Sequence, residues 1–238
     1  MKLIAWNCNM AFRKKADKIF QLFPDIAIIP ECEHPGNLNF DSQFLNPNTI
    51  IWHGNNKHKG LGVFSFNGYT IKLLDTHNQH IKTVLPIRVS NKREKYLLLA
   101  VWAHNPHDPA YRYIGQVWKA IEAYENLFEH EQVIIAGDFN SNVIWDKLKR
   151  KISHTMVVEK LQNIGIVSSY HLNTKYKQGQ EKHPTFFLYR HENKPYHIDY
   201  CFVSKWLASK IKSVEIGGYS DWVKYSDHSP LIVDFETK

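Results

Sequence analysis

The sequence predicts an α/β fold built on mixed β-sheets. Three observations carry this. Short apolar runs of strand length recur along the chain and are interspersed with segments of helical period. Some runs alternate apolar with polar residues and others are continuous, which suits mixed sheets better than an all-parallel one. No repeat, low-complexity tract, Gly/Ser linker or composition break divides the 238 residues, and that length fits one domain covering 1–238.

The elements follow in order. Residues 2–8 are a short apolar run. Residues 11–23 have helical spacing, with Ala16, Ile19, Phe20 and Phe23 on one face and Arg13, Lys14, Lys15 and Lys18 largely off it. Pro24 stops that helix. Residues 25–31 form the next apolar strand, and 34–48, carrying Pro, Gly and Asn, read as loop. Strands are expected near 49–53, 61–66, 69–74, 83–89 and 95–103. Residues 109–128 read as a helix, because Tyr113, Val117, Ile121, Tyr124 and Phe128 recur every three or four positions. A strand at 132–137, a helix at 156–164 and strands near 184–190, 197–204, 211–216 and 229–235 complete the chain.

Composition excludes several classes. With 43% hydrophobic and 13% aromatic residues, most of the chain is not disordered. The longest purely apolar run is about seven residues, against the roughly 20 that a spanning helix needs, so no membrane association is expected. Cys8, Cys32 and Cys201 are far apart and form no CxxC pair, which argues against a disulfide framework or a zinc ribbon. The N-terminus turns polar too soon for a secretory signal, so a cytoplasmic location is expected. The formal charge of +7 favours an anionic partner, although many soluble proteins carry a similar surplus.

The informative pattern is what stands where apolar runs end. Asn7 ends the first run, Glu31 the second and His104 the run from Tyr96 to Ala103. Asp138 ends the run from Val133, with Asn140 two residues on. Asp199 lies inside a late apolar stretch, and Ser226-Asp227-His228 precedes the last strand. A carboxylate buried at such a place is costly unless it is paired or metal-bound. One instance is an ordinary cap or ion pair; the joint pattern points to one shared site. Hard oxygen donors such as Glu31, Asn7 and an Asp suit Mg²⁺ or Mn²⁺. An Asp can orient and deprotonate water, and an Asp-backed histidine can face a developing phosphorane oxyanion. This is the chemistry of phosphate-ester hydrolysis.

Trp6-Asn7-Cys8-Asn9, Pro30-Glu31, Gly137-Asp138-Phe139-Asn140, His197-Ile198-Asp199-Tyr200 and Ser226-Asp227-His228-Ser229-Pro230 resemble the ordered motifs of the endonuclease/exonuclease/phosphatase superfamily. The resemblance implies a four-layer α/β sandwich, with two mixed sheets face to face and helices outside. It implies Glu31 as the main metal ligand, with Asn7 beside it and Asp227 assisting. Asp138 would activate the water, Asn140 would hold the phosphate, and His228, oriented by Asp199, would contact it, as would His104. Three departures stand out: Pro30 replaces the usual Gln, His197 replaces the usual Arg, and Met10 stands where a Gly is common.

For substrate, the resemblance together with the basic clusters favours nucleic acid, DNA first. Arg13, Lys14 and Lys15 lie near Asn7; Lys147, Lys149, Arg150 and Lys151 follow the Gly-Asp-Phe-Asn motif; Lys57, His58 and Lys59 precede Gly60. A phosphate-tracking rim is expected from the first two groups, with Trp145 and Trp222 as candidate stacking surfaces. No obligate protein partner is inferred. The rival readings are a phosphatase or phosphodiesterase for a small or lipid phosphoester, and a decayed nucleic-acid-binding module.

Overall fold

The computed structural model describes residues 1–38, 46–81, 83–104, 109–147 and 150–236. Alternation decides the architecture. In β1 (Lys2–Ala5), β2 (Ile26–Cys32), β3 (Thr49–Asn56) and β4 (Lys59–Ser65), side chains point by turns to opposite faces, and both faces are apolar. Leu3, Ala5, Ile26, Ile28, Leu61 and Val63 enter one core, while Ile4, Trp6, Ala27, Ile29 and Phe64 enter another. A sheet greasy on both sides must be covered on both.

The covering is a second sheet on one side and helix on the other. The first sheet runs β13-β14-β1-β2-β4-β3, with β13 at Ile211–Ile216 and β14 at Leu231–Phe235. The second runs β5-β6-β7-β8-β12-β9, from β5 (Thr70–Leu73), β6 (Val84–Ser90), β7 (Lys95–Trp102), β8 (Val133–Asp138), β9 (Ile166–Ser168) and β12 (Asp199–Ser204). Their facing residues share one core, in which Leu98, Ala100, Ile134, Ala136, Cys201 and Val203 oppose Leu3, Ile28 and Val233. Helix α1 (Ala16–Phe20) covers the outer face of the first sheet, and α2 (Ile114–Phe128) and α3 (His154–Asn163) cover the second. This is the expected four-layer sandwich.

Each sheet has one parallel pair, β1 with β2 and β7 with β8; the other pairs are antiparallel. A parallel pair needs a crossover, which α1 and α2 supply. Both crossovers therefore leave the strand ends that carry Asn7 and His104 and return to strands ending at Glu31 and Asp138.

Several elements differ from the sequence reading. The helix expected over 11–23 is a 3₁₀ turn at Phe12–Lys14 and a five-residue α1, because Asn9, Met10 and Ala11 all take positive φ and Lys15 is non-helical. The helix expected from 109 starts at Ile114, since Tyr113 has φ 53° and is exposed rather than on the core face. The stretch 184–190 is a two-residue strand β10 (Phe186–Phe187) and a tight turn, paired with β11 (Pro195–Tyr196). β9, α4 (Ser169–Thr174), α5 (Lys205–Ala208) and α6 (Tyr219–Trp222) are too short for periodicity to reveal. Among the described residues no helix is long and apolar enough to cross a membrane.

Gly137 stands before Asp138 with φ 136°, and a Cβ there would lie 2.0 Å from the Val101 carbonyl oxygen. Gly137→Ala is expected to destabilise the fold by about 3 kcal/mol or more, read as a fall in Tm of roughly 6–12 °C.

Candidate active site

Strand pairing makes the centre of the site. In the β8–β12 register Asp138 lies directly opposite Asp199. Both continue the inward phase of their strands, after Ala136 and before Cys201, and both are fully buried. His228 follows in the loop before β14, and its Nδ1 is 2.9 Å from Asp199 Oδ2. Ligand atoms of Asp138, Asp199 and His228 all lie within 4.8 Å of one another.

The surroundings supply donors to this buried charge. Asp138 Oδ1 accepts from the Asn140 backbone N–H at 2.8 Å, and Oδ2 accepts from Asn7 Nδ2 at 2.9 Å and Asn140 Nδ2 at 2.8 Å. Thr185 Oγ1 accepts from the Ile198 and Asp199 N–H groups, each at 3.0 Å, and its carbonyl accepts from Ser229 N–H at 2.8 Å. Ser226 Oγ donates to the Asn7 carbonyl at 2.7 Å and accepts from His228 N–H at 3.0 Å. Trp6 Nε1 donates to the His228 carbonyl at 2.9 Å, and the Phe186 ring lies 4.7 Å from the imidazole.

These contacts set the protonation states. Burial, and then the Asp199 carboxylate, push Asp138 up to about 7, against the pull of His228 and the Asn7 and Asn140 donors. Burial opposes charge on His228, but the Asp199 charge and hydrogen bond outweigh it and hold the imidazole at about 9. Near neutral pH His228 is therefore favoured as an imidazolium beside Asp199, while Asp138 lies close to the midpoint of its titration.

Glu31 reaches the rim differently. The ladder continues beyond β1 through Trp6 N–H to the Ile28 carbonyl and Cys8 N–H to the Pro30 carbonyl, so Asn7 and Glu31 stand at adjoining strand ends. A bulge between Pro30 and Cys32 gives Glu31 φ 61°. That breaks the alternation and brings its carboxylate to Lys59 Nζ at 3.1 Å.

The Endonuclease/Exonuclease/phosphatase family model matches residues 4–228. The chain belongs to this family. Solved structures of the family's fold align over the whole chain. A 3′-5′ exonuclease from Neisseria meningitidis is 19% identical with full coverage of both chains and a TM-score of 0.68. A 3′ phosphatase from Neisseria bound to a product DNA hairpin is 18% identical, also with full coverage of both, at 0.66. An AP endonuclease from Leishmania major is 15% identical, aligned over 100% of this chain and 88% of that one, at 0.72. No curated protein matches the sequence.

Within this family member, Asn7 and Asn140 bond Asp138, His228 bonds Asp199, and strand pairing brings the two groups together, with Asp227 adjacent and half-buried. His104 packs its ring 5.2 Å from Trp102, one residue beyond Ala103, whose N–H bonds the Asp138 carbonyl at 2.7 Å. His197 is buried; its Nδ1 lies 2.8 Å from the His183 carbonyl, and burial pushes its pKa to about 4. Burial thus disfavours the charged form of this imidazole.

The expected basic rim divides. Lys14, Lys147 and Arg150 are exposed. Arg13, also exposed, ion-pairs with buried Glu33, and half-buried Lys15 bonds the Cys8, Asn9 and Tyr225 carbonyls. Lys149 lies outside the described residues. Trp145 and Trp222 are half-buried, in a tilted contact with Tyr196 at 5.0 Å and an edge contact with Trp6 at 5.3 Å. The sequence reading missed Thr185, Glu33 and the role of Lys59; a lone Thr before two Phe residues carries no pattern to find it by.

Thr185→Val strips the acceptor from two buried N–H groups and is expected to cost about 2–4 kcal/mol. Thr185→Ser keeps it and should stay within about 1 kcal/mol of wild type, as measured by denaturant unfolding.

Proposed function

We propose that this family member is a divalent-metal-dependent phosphodiesterase that hydrolyses nucleic acid, DNA in preference, by in-line attack of an activated water. The observation that carries the reading is the buried Asp138–Asp199–His228 cluster with Asn7 and Asn140 aimed at Asp138. Membership of a family of phosphoester hydrolases supports it, as do structural neighbours that include an exonuclease, an AP endonuclease and a phosphatase with DNA product.

The donor set suits a hard cation. Glu31, Asn7 and Asp227 offer oxygen, and among the described residues Asp199 Oδ1 is buried without a hydrogen-bond partner. Burial raises the Cys8 and Cys32 thiols well above their ordinary range, so no thiolate is offered to a softer metal. Glu31, with Asn7 and Asp227, would hold Mg²⁺ or Mn²⁺. Such an ion supplies Lewis-acid stabilisation of the phosphoryl oxygens.

The chain's own residues do the rest in this reading. Asp138 orients a water and takes its proton. Asn140, held by its bonds to Asp138, positions the phosphate. His228, kept protonated by Asp199, offers charge to the oxyanion as it develops. His104 contacts the phosphate, and Lys14, Lys147 and Arg150 follow the backbone.

Asp138→Asn and His228→Ala are each expected to lower cleavage about 10²–10⁴-fold in a panel of DNA, RNA, abasic DNA and small phosphoesters with Mg²⁺ and Mn²⁺. Phosphate release from small esters with no cutting of polynucleotide would favour the small-phosphoester reading instead. Inactivity on every ester, together with DNA binding, would favour the decayed module.

The pH dependence follows from the two shifts. Asp138 must be ionised, so kcat/KM should rise with pH through about 7. His228 must be protonated, so it should fall as pH passes about 9. A profile flat from roughly pH 5 to 10.5 contradicts the pairing.

A further inference from the structure

The basic run Lys57-His58-Lys59 takes no part in the steps above. Lys57 and His58 are exposed at the turn between β3 and β4. Lys59, the first residue of β4, is placed differently. Its Nζ lies 3.1 Å from Glu31 Oε1 and 5.4 Å from the centre of the Trp102 ring. Glu31 belongs to the first sheet and Trp102 to the second, where Trp102 is paired in register with Asp138. The side chain therefore lies across the opening between the sheets, at the edge of the reaction centre. Its exposure is 35%, against 18% for Glu31, so the ammonium can leave the carboxylate for solvent without unpacking anything.

The neighbouring cations are committed elsewhere. Arg13 pairs with Glu33, and Lys15 is bonded to three carbonyls. The charge answering Glu31 is thus the one carried by a four-carbon stem that can swing, resting on an aromatic face that favours a cation.

We propose that Lys59 is a tethered counter-cation at Glu31, which a divalent metal must displace in order to bind. This rests on reading Glu31 as the metal-binding carboxylate. Before metal arrives, the ammonium neutralises Glu31 and holds it at the bulge. Metal takes its place on the carboxylate, and Lys59 leaves still protonated, so the exchange moves no proton. Lys59 is a positioning residue that sets metal affinity. A unit charge in contact with the ligand is worth on the order of tenfold in cation affinity at a half-exposed site.

The test is calorimetric titration of metal-free protein with Mn²⁺, with free Mn²⁺ checked by EPR. Lys59→Met, which keeps the stem, should lower the Mn²⁺ Kd about tenfold. Lys59→Arg, which keeps the charge, should leave it unchanged or raise it. Lys57→Met, which removes an exposed charge two residues away, should change it less than about twofold. Unchanged or weaker binding in Lys59→Met overturns the proposal, as does equal tightening in Lys57→Met. Glu31→Gln separates the two layers: it should weaken Mn²⁺ binding, and adding Lys59→Met to it should then change nothing further. If Glu31→Gln leaves binding intact, the metal assignment falls and the proposal with it. If Glu31→Gln weakens binding while Lys59→Met does not tighten it, only the counter-cation role falls. Circular-dichroism melting of each variant checks that it is folded at the titration temperature.

Discussion

The structure is organised around two carboxylates that strand pairing forces together. Asp138 and Asp199 are opposite one another on β8 and β12, on the inward face, without exposure to water. Two like charges in that position repel, and burial makes each more costly. The remaining architecture supplies what makes them tolerable: three N–H donors on Asp138, an imidazolium on Asp199, and a threonine that fixes the backbone of the second strand. Nothing in the hydrophobic core requires these charges. In the proposed reading these charges serve the reaction, and the local network makes their burial tolerable.

Asn7 shows how the two sheets meet at this point. It stands two residues beyond β1 of the first sheet, yet its amide donates to Asp138 in the second, and its carbonyl accepts from Ser226 near the C-terminus. Trp6 next to it holds the His228 carbonyl. Three distant segments are thereby tied at one corner of the sandwich. The rim follows a different logic: Glu31 is brought out by a bulge and a positive φ, and its charge is answered by a side chain that can move. A rigid interior with an exchangeable edge suits the proposed site, which in that reading admits a cation and an anionic substrate in turn.

Much of this is legible in the sequence, for identifiable reasons. Short apolar runs identify the strands, because side chains alternate between two faces that are both buried. The same alternation carries Asn7, Asp138 and Asp199 in the core phase of their strands, so polar residues there stand out. The shortness of the helix at 16–20 is not legible, because helical spacing over 11–23 is equally satisfied by a positive-φ turn that folds the same apolar residues inward. The same ambiguity extends to Lys15, which reads as a solvent-facing charge and is half-buried on backbone carbonyls; Arg13 is solvent-facing as read, yet also pairs with Glu33.

What the sequence by itself determined is the identity and order of the chemistry-bearing residues, the mixed α/β character and the family resemblance, since these reside in residue type and spacing. Only the tertiary structure decided which of them meet. Strand register set Asp138 against Asp199, packing of the sheets delivered Asn7 to Asp138, and the loop before β14 returned His228 across the chain. Thr185 and Lys59 entered the site on the same terms. Each gains its role from partners far away in sequence, and hydrogen bonds and charges act over a few ångströms of space rather than along the chain.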